Sequence, residues 1–191
     1  MDDAATPAPT ATDIVQRAAR AAFGAPLVTN VFRGTVVEAI VDAALAPEWV
    51  WCSQDYSSWD FEHRDGTRLE VKQSAARQSW TPSCTAIHVG KPNFDIAARQ
   101  GRWEGPIWVG EPGRASHIYV FAHHPVADRN ADHRDPLQWD FYVVGAGALP
   151  PGGKTLGLAG VKERARATPF AALRAEVERV RTALQKDRSA A

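Results

Sequence analysis

Trp59-Asp60-Phe61-Glu62-His63-Arg64-Asp65-Gly66-Thr67-Arg68-Leu69-Glu70-Val71-Lys72-Gln73-Ser74 is the stretch that decides the reading of this chain. Two runs of alternating apolar and polar side chains flank Arg64-Asp65-Gly66, which is the pattern of a β-hairpin. Register then decides which side chains can meet. A two-residue turn at Asp65-Gly66 would pair Asp60 with Val71 and send Asp60 to the face opposite Glu70. A three-residue loop instead pairs Asp60 with Glu70, Phe61 with Leu69 and Glu62 with Arg68. That loop wants a left-handed residue at its third position, where Gly66 stands. It also sorts the faces, with Trp59, Phe61, Leu69 and Val71 on one and Asp60, Glu62, Arg68, Glu70, Lys72 and Ser74 on the other.

Two carboxylates directly opposite on one sheet face repel unless a positive charge sits between them. A divalent cation does this well: Mg²⁺ takes one or two carboxylates and keeps its remaining positions for water and phosphate oxygens. Lys72 lies two residues beyond Glu70 on the same face, where an ammonium can hold a water or answer charge developing on a phosphate. A bare Glu-x-Lys is a weak signal, since nine Glu and five Lys predict roughly 0.24 occurrences by chance. In this chain it is the single acid-x-Lys triplet, and it falls in a strand opposite an aspartate.

Upstream, Val36, Val37, Ile40, Val41, Ala44 and Leu45 form the apolar stripe of a helix from about Thr35, stopped by Pro47. Glu38 has two readings. If the helix starts at Thr35, Glu38 closes a capping box. If it starts near Asn30, Glu38 lies mid-helix beside the stripe and wants a partner such as a metal.

Asp60, then Glu70-Val71-Lys72 ten positions later, after a helix carrying Glu38, resembles the PD-(D/E)xK nuclease superfamily over roughly residues 30–75. Trp59 stands where the nominal proline would be. The resemblance implies an α/β fold with a mixed β-sheet flanked by helices, a restriction-endonuclease-like core of helix, three strands, helix and strand. It implies Asp60 and Glu70 as ligands of Mg²⁺ (or Mn²⁺), with the Val71 carbonyl close to the ion. Lys72 would be the catalytic base or electrostatic aid, and Glu38 the helix-borne acid. Gln73 and Ser74 would follow the lysine as polar substrate contacts. The expected activity is metal-dependent hydrolysis of DNA phosphodiesters. The alternative is a catalytically silent nuclease-fold module that binds DNA or another protein.

The remaining chain sets the context. With 191 residues, 45% hydrophobic and 23% charged, it suits one domain with a real core; collagen, coiled coil and wholesale disorder are excluded. No apolar run approaches a membrane span, and the acidic N-terminus is unlike a signal peptide, so a cytoplasmic location is expected. Cys52 and Cys84 supply neither a disulfide framework nor a four-cysteine zinc site. The 22 basic and 22 acidic side chains cancel, which argues against indiscriminate coating of nucleic acid. Residues 1–63 are acidic, however, and the basic surplus begins at the hairpin turn. Arg64, Arg68, Arg77, Lys91, Arg99, Arg102 and Arg114 are the candidates for phosphate contacts. No separate recognition domain is visible, so target selection would come from loops, a partner or a homodimer.

Residues 1–11 read as a disordered leader and 12–191 as a single domain, opening with a helix capped by Thr12. Residues 75–92 resist assignment. Asn93 to Gly101 reads as a short helix, Ile107–Val109, His117–Ala122 and Trp139–Val144 as strands, and Thr168-Pro169 as the start of a last helix. His123, His124, Asp128, Asp132, His133 and Asp135 match no metal-ligand spacing and read as a surface loop. Gly152-Gly153-Lys154-Thr155 lacks the earlier glycine of a phosphate loop and reads as a turn. Trp49, Trp51, Trp59 and Trp139 are expected in the core; Trp80, Trp103 and Trp108 lie in the basic middle third, where stacking on an unpaired base is the alternative to packing.

Overall fold

The computed structural model describes residues 8–52, 57–80 and 91–190. In chain order its helices and strands begin with α1 (Ala11–Phe23), α2 (Asn30–Leu45), β1 (Trp49–Trp51), β2 (Phe61–His63) and β3 (Arg68–Ala75). There follow β4 (Asn93–Asp95), β5 (Arg102–Glu104), β6 (Ile107–Val109) and β7 (Ile118–His124). The last are β8 (Asp140–Gly145), β9 (Thr155–Gly157), α3 (Leu158–Lys162) and α4 (Leu173–Ala190).

The hairpin takes the three-residue register. Phe61 pairs with Leu69 and Glu62 with Arg68, the His63 and Thr67 backbones bond at 2.9 Å, and Gly66 sits at φ 78°. Phe61, Leu69 and Val71 are buried, while Glu62, Arg68, Glu70, Lys72 and Ser74 are half-buried on the other face.

β3 then pairs in parallel with β7, and β7 antiparallel with β8, giving a mixed sheet in the order β1-β2-β3-β7-β8. Strands β3 and β7 stand 43 or more residues apart in the chain, and β7 is buried along its whole length. Burial on both faces explains its unbroken apolar and aromatic run, Ile118 to Ala122. On one face, α2 and α4 pack Val37, Ile40, Val41, Leu45, Leu173 and Val177 over Phe61, Leu69, Val71, Val120 and Phe141. Each such aliphatic side chain contributes about 1.5–3 kcal/mol through burial. On the other face Phe94, Ile96, Leu156 and Val161 cover Tyr119, Phe121, Tyr142 and Val144. The fold is thus mixed α/β, a mixed sheet flanked by helices.

Several local expectations are corrected. The first helix is capped by Thr10 in a reciprocal box with Asp13, two residues before Thr12; residues 1–7 of the expected leader lie outside the described residues. Helix α2 begins at Asn30, so Glu38 is mid-helix and the Thr35 capping box is not formed. Asn93–Asp95 is a strand paired with β9 rather than a helix start. Phe94 and Ile96 are buried while Asn93 and Asp95 are exposed, a period of two that a short window confuses with a helix turn. The histidine-rich segment is not a surface loop, since His123 and His124 end β7 and His133 is fully buried. Trp59 is buried, but its indole lies 3.8 Å beneath the Arg68 guanidinium and outside both hydrophobic clusters. Cys84 and residues 81–90 of the unassigned stretch lie outside the described residues. Among the described residues, no helix is long and apolar enough to cross a membrane.

Candidate active site

Asp60 makes the last backbone bond to β3, its N–H donating to the Leu69 carbonyl at 3.0 Å. It therefore does not take the expected direct pairing with Glu70, and among the described residues the Val71 N–H is left without a backbone partner on that side. The Asp60 side chain takes that bond, with Oδ2 accepting at 2.6 Å. A strand end therefore fixes the carboxylate beside the outer face of β3, where Glu70 and Lys72 project. The parallel register sets Tyr119 of β7 alongside Glu70, and Asp95 and Ile96 at the end of β4 close the far wall. Asp60, Glu70, Lys72, Asp95, Arg114 and Tyr119 line one cleft of about 260 Å³.

The electrostatics of that cleft are unbalanced. Burial pushes the Asp60 carboxyl up to about 7; the Glu70 charge adds to the rise, and the Val71 N–H only partly opposes it. Glu38 pushes Asp60 in the same direction, by less. Glu70 is held by two donors, the Lys72 ammonium on Oε1 and the Ser116 hydroxyl at 3.3 Å from Oε2. Burial alone would lower Lys72, yet Glu70, followed by Asp60 and Asp95, outweighs it and holds the ammonium above its ordinary range. Lys72 is therefore a positive charge in this state. Tyr119 is pushed up to about 12, by burial first and then by Glu70, and stays a protonated donor.

Glu38 stands outside the cleft lining, with Oε2 accepting from the Trp51 indole N–H at 3.1 Å. Among the described residues no three His, Cys, Asp or Glu side chains gather as a preformed metal cluster. The cleft offers instead a pair of carboxylates, the number Mg²⁺ commonly takes from protein.

The expected substrate residues divide. Gln73 and Ser74 line a groove that adjoins the cleft and shares Lys72 and Asp95 with it. The Gln73 amide is fixed there, Oε1 accepting from Arg33 Nε at 2.6 Å and Nε2 donating to Asn30 at 3.2 Å. Arg64 lies at the hairpin turn, away from the cleft. Arg68 is engaged with the Trp59 ring and, at 3.2 Å, with Glu104. The Arg77 guanidinium donates to the Asp128 carbonyl.

The sequence gives no sign that Asp95 and Tyr119 line the cleft, that Arg33 lines its groove, or that Ser116 bonds Glu70. Asp95 was hidden in the misread helix, and Tyr119 meets Glu70 only through long-range parallel pairing. Arg33 is 2% exposed and donates to the neutral amide oxygens of Gln73, Gln78 and Asn30; burial lowers it to about 10. Arg114, one of the basic residues noted in the sequence, does reach the cleft. Its guanidinium donates to the Ile96 carbonyl at 2.8 Å and the Pro150 carbonyl at 2.6 Å, which pins it in place.

No protein-family model and no curated protein sequence matches this chain. Among solved structures, the chain is similar to the bacterial homing endonuclease I-Ssp6803I, at 18% identity and a TM-score of 0.42, over 84% of this chain and 96% of that one.

Proposed function

We propose that the protein is a metal-dependent nuclease that hydrolyses DNA phosphodiesters in the cleft between β2, β3 and β4. One observation carries the reading: two carboxylates, Asp60 and Glu70, are set together with an ammonium, Lys72, in a single desolvated cleft. Desolvated like charges are costly unless the arrangement serves a ligand.

The donor chemistry suits Mg²⁺ or Mn²⁺. Every candidate ligand is a hard oxygen: the Asp60 and Glu70 carboxylates, the Val71 carbonyl and, from the side, Glu38. Burial and the Glu70 charge raise Asp60, and a bound cation would offset that like-charge repulsion. When bound, the ion would neutralise phosphate charge and supply water of lowered pKa.

The chain's own residues do the rest. Because Lys72 is held protonated, its part is electrostatic: it can leave Glu70 Oε1 for a phosphate oxygen or the attacking water, favouring the more negative transition state. Arg114, pinned by two carbonyls, offers its remaining N–H groups to a non-bridging oxygen without paying for its own ordering. Tyr119 offers a neutral donor on the floor. Val71 N–H holds Asp60 in one rotamer, so the carboxylate is preset.

The test is cleavage of linear and circular DNA with Mg²⁺, Mn²⁺ or a chelator. Wild type is expected to cleave only with metal, and Lys72→Ala to lose cleavage while keeping its thermal unfolding midpoint. Undiminished cleavage by Lys72→Ala would remove the lysine from the mechanism. The second reading, a silent module, draws on the Lys72 and Ser116 contacts that already engage both Glu70 oxygens. DNA binding without any Mg²⁺ or Mn²⁺ binding by calorimetry would favour it.

A further inference from the structure

Strands β5 and β6 form a separate two-stranded ribbon beside the cleft, closed by a tight turn at Gly105 (φ 58°). Trp103 and Trp108 are directly paired across it, with ring centroids 5.4 Å apart and planes at 63°. Both indoles are exposed, Trp108 by 50% and Trp103 by 37%.

The ribbon is tied to the cleft at two points. The Trp103 backbone N–H donates to Ser58 Oγ at 2.8 Å, and Ser58 lines the cleft. Gly101 also lines it, and the Trp108 ring lies so close that a Cβ on Gly101 would stand 2.6 Å from Trp108 Cζ2 and 2.4 Å from the Val109 carbonyl oxygen. A glycine is therefore required for the indole to reach the cleft edge. The ribbon brings little charge for phosphates, because Arg102 pairs with Glu104 and Glu111, and Arg68 also pairs with Glu104. What it presents is an aromatic face at the end of a phosphodiester-sized cleft.

From this geometry we infer that the Trp108 indole, buttressed edge-on by Trp103, is a stacking platform for an unpaired base adjacent to the scissile phosphate. The inference rests on the nuclease reading of the cleft and names its substrate class, DNA that is single-stranded or locally unpaired. Duplex bases are already stacked and hide their faces, whereas an unpaired base offers its π-face to any aromatic surface irrespective of sequence. A second exposed indole, Trp80 at 67%, lines the adjoining groove, which shares Lys72 with the cleft.

The test measures binding of a labelled single-stranded oligothymidylate and of its duplex by fluorescence anisotropy, in chelator so that nothing is cleaved. Wild type is expected to prefer the single strand. Trp108→Ala is expected to lower the ratio of single-strand to duplex affinity about five- to hundredfold, and Trp108→Phe to restore most of it. An unchanged ratio in Trp108→Ala, or a wild type that prefers duplex, overturns the platform. Adding Mg²⁺ to the same oligomers separates the two claims. Preferential binding that depends on Trp108 without cleavage sinks the nuclease and keeps the platform. Cleavage with an unchanged ratio keeps the nuclease and sinks the platform.

Discussion

The shared ladder of β3 and β7 has polar groups near both ends, neutral rings buried in the fold at one and charged groups lining a cleft at the other. At the C-terminal end, the fully buried His133 ring accepts from the Val28 N–H at 3.1 Å through Nδ1 and donates to the Arg77 carbonyl at 3.0 Å through Nε2. Trp139 donates to the His133 carbonyl at 3.0 Å, and His124 stacks edge-on against both rings. His133 is lowered to about 4, by burial first and then by Arg33, so the ring stays neutral with both nitrogens used. At the other end, Asp60 and Glu70 line one cleft as like charges, with the Lys72 ammonium on Glu70, and burial with the Glu70 charge raises Asp60. The histidine rings are buried among backbone groups and other rings and serve the fold, although His123 and the Nδ1 of His124 are buried without a hydrogen-bond partner among the described residues. The two carboxylates have partners, and what they lack is a balance of charge.

The largest expected effect separates the two ends outright. Glu70→Gln or Lys72→Ala is expected to lower metal-dependent cleavage by roughly 10²–10³-fold or more, with little change in the unfolding midpoint. His133→Ala should do the reverse, destabilising the fold by about 2–5 kcal/mol in a denaturant titration, because it opens a cavity and strands the Val28 N–H and Arg77 carbonyl. Equal stability losses at the two ends would erase the distinction.

Proton linkage gives the next contrast, with opposite signs. Asp60 is raised from 3.8 to about 7, so its contribution in the metal-free protein is fully present below about pH 4 and is lost as pH rises through 7. His133 is lowered from 6.5 to about 4, so its contribution is present above pH 6.5 and is lost as pH falls through 4. The histidine arm is on the order of 3 kcal/mol. Urea titrations across pH are expected to show Asp60→Asn flattening the alkaline arm and His133→Gln the acid arm. The same raised Asp60 predicts that Mn²⁺ affinity weakens as pH falls below 7, because protons compete for the carboxylate. A pH-independent affinity would break that link.

The smallest effect concerns Glu38. Trp51→Phe removes the indole N–H from Glu38 Oε2, a bond worth about 0.5–1.5 kcal/mol. If Glu38 supports the ion from the helix, Mn²⁺ affinity by calorimetry is expected to fall a few-fold; an unchanged value would assign Glu38 to structure alone.

The sequence carried the site end of this contrast better than the other. The hairpin register was legible because Gly66 and strict alternation point to the same loop. The placement of Asp60 with Glu70 and Lys72 follows from that register, a local property. The histidine end is not legible this way, because polar residues in a sequence suggest exposure, while the His133 ring is buried through bonds to backbone groups of Val28 and Arg77, 105 and 56 residues away. Tyr119 and Asp95 were invisible for a related reason. Tyr119 joins the site through parallel pairing across more than 40 residues, and Asp95 through a three-residue strand with no pattern of its own.

In the proposed function Asp60 and Glu70 together hold a divalent cation. Anomalous diffraction from crystals soaked in Mn²⁺ tests it most directly. The account predicts a peak in the cleft within coordination distance of both carboxylates, about 2.0–2.3 Å, lost in Asp60→Asn. A saturating soak that leaves the cleft without a peak, or puts the ion elsewhere while Lys72 stays on Glu70, would contradict it.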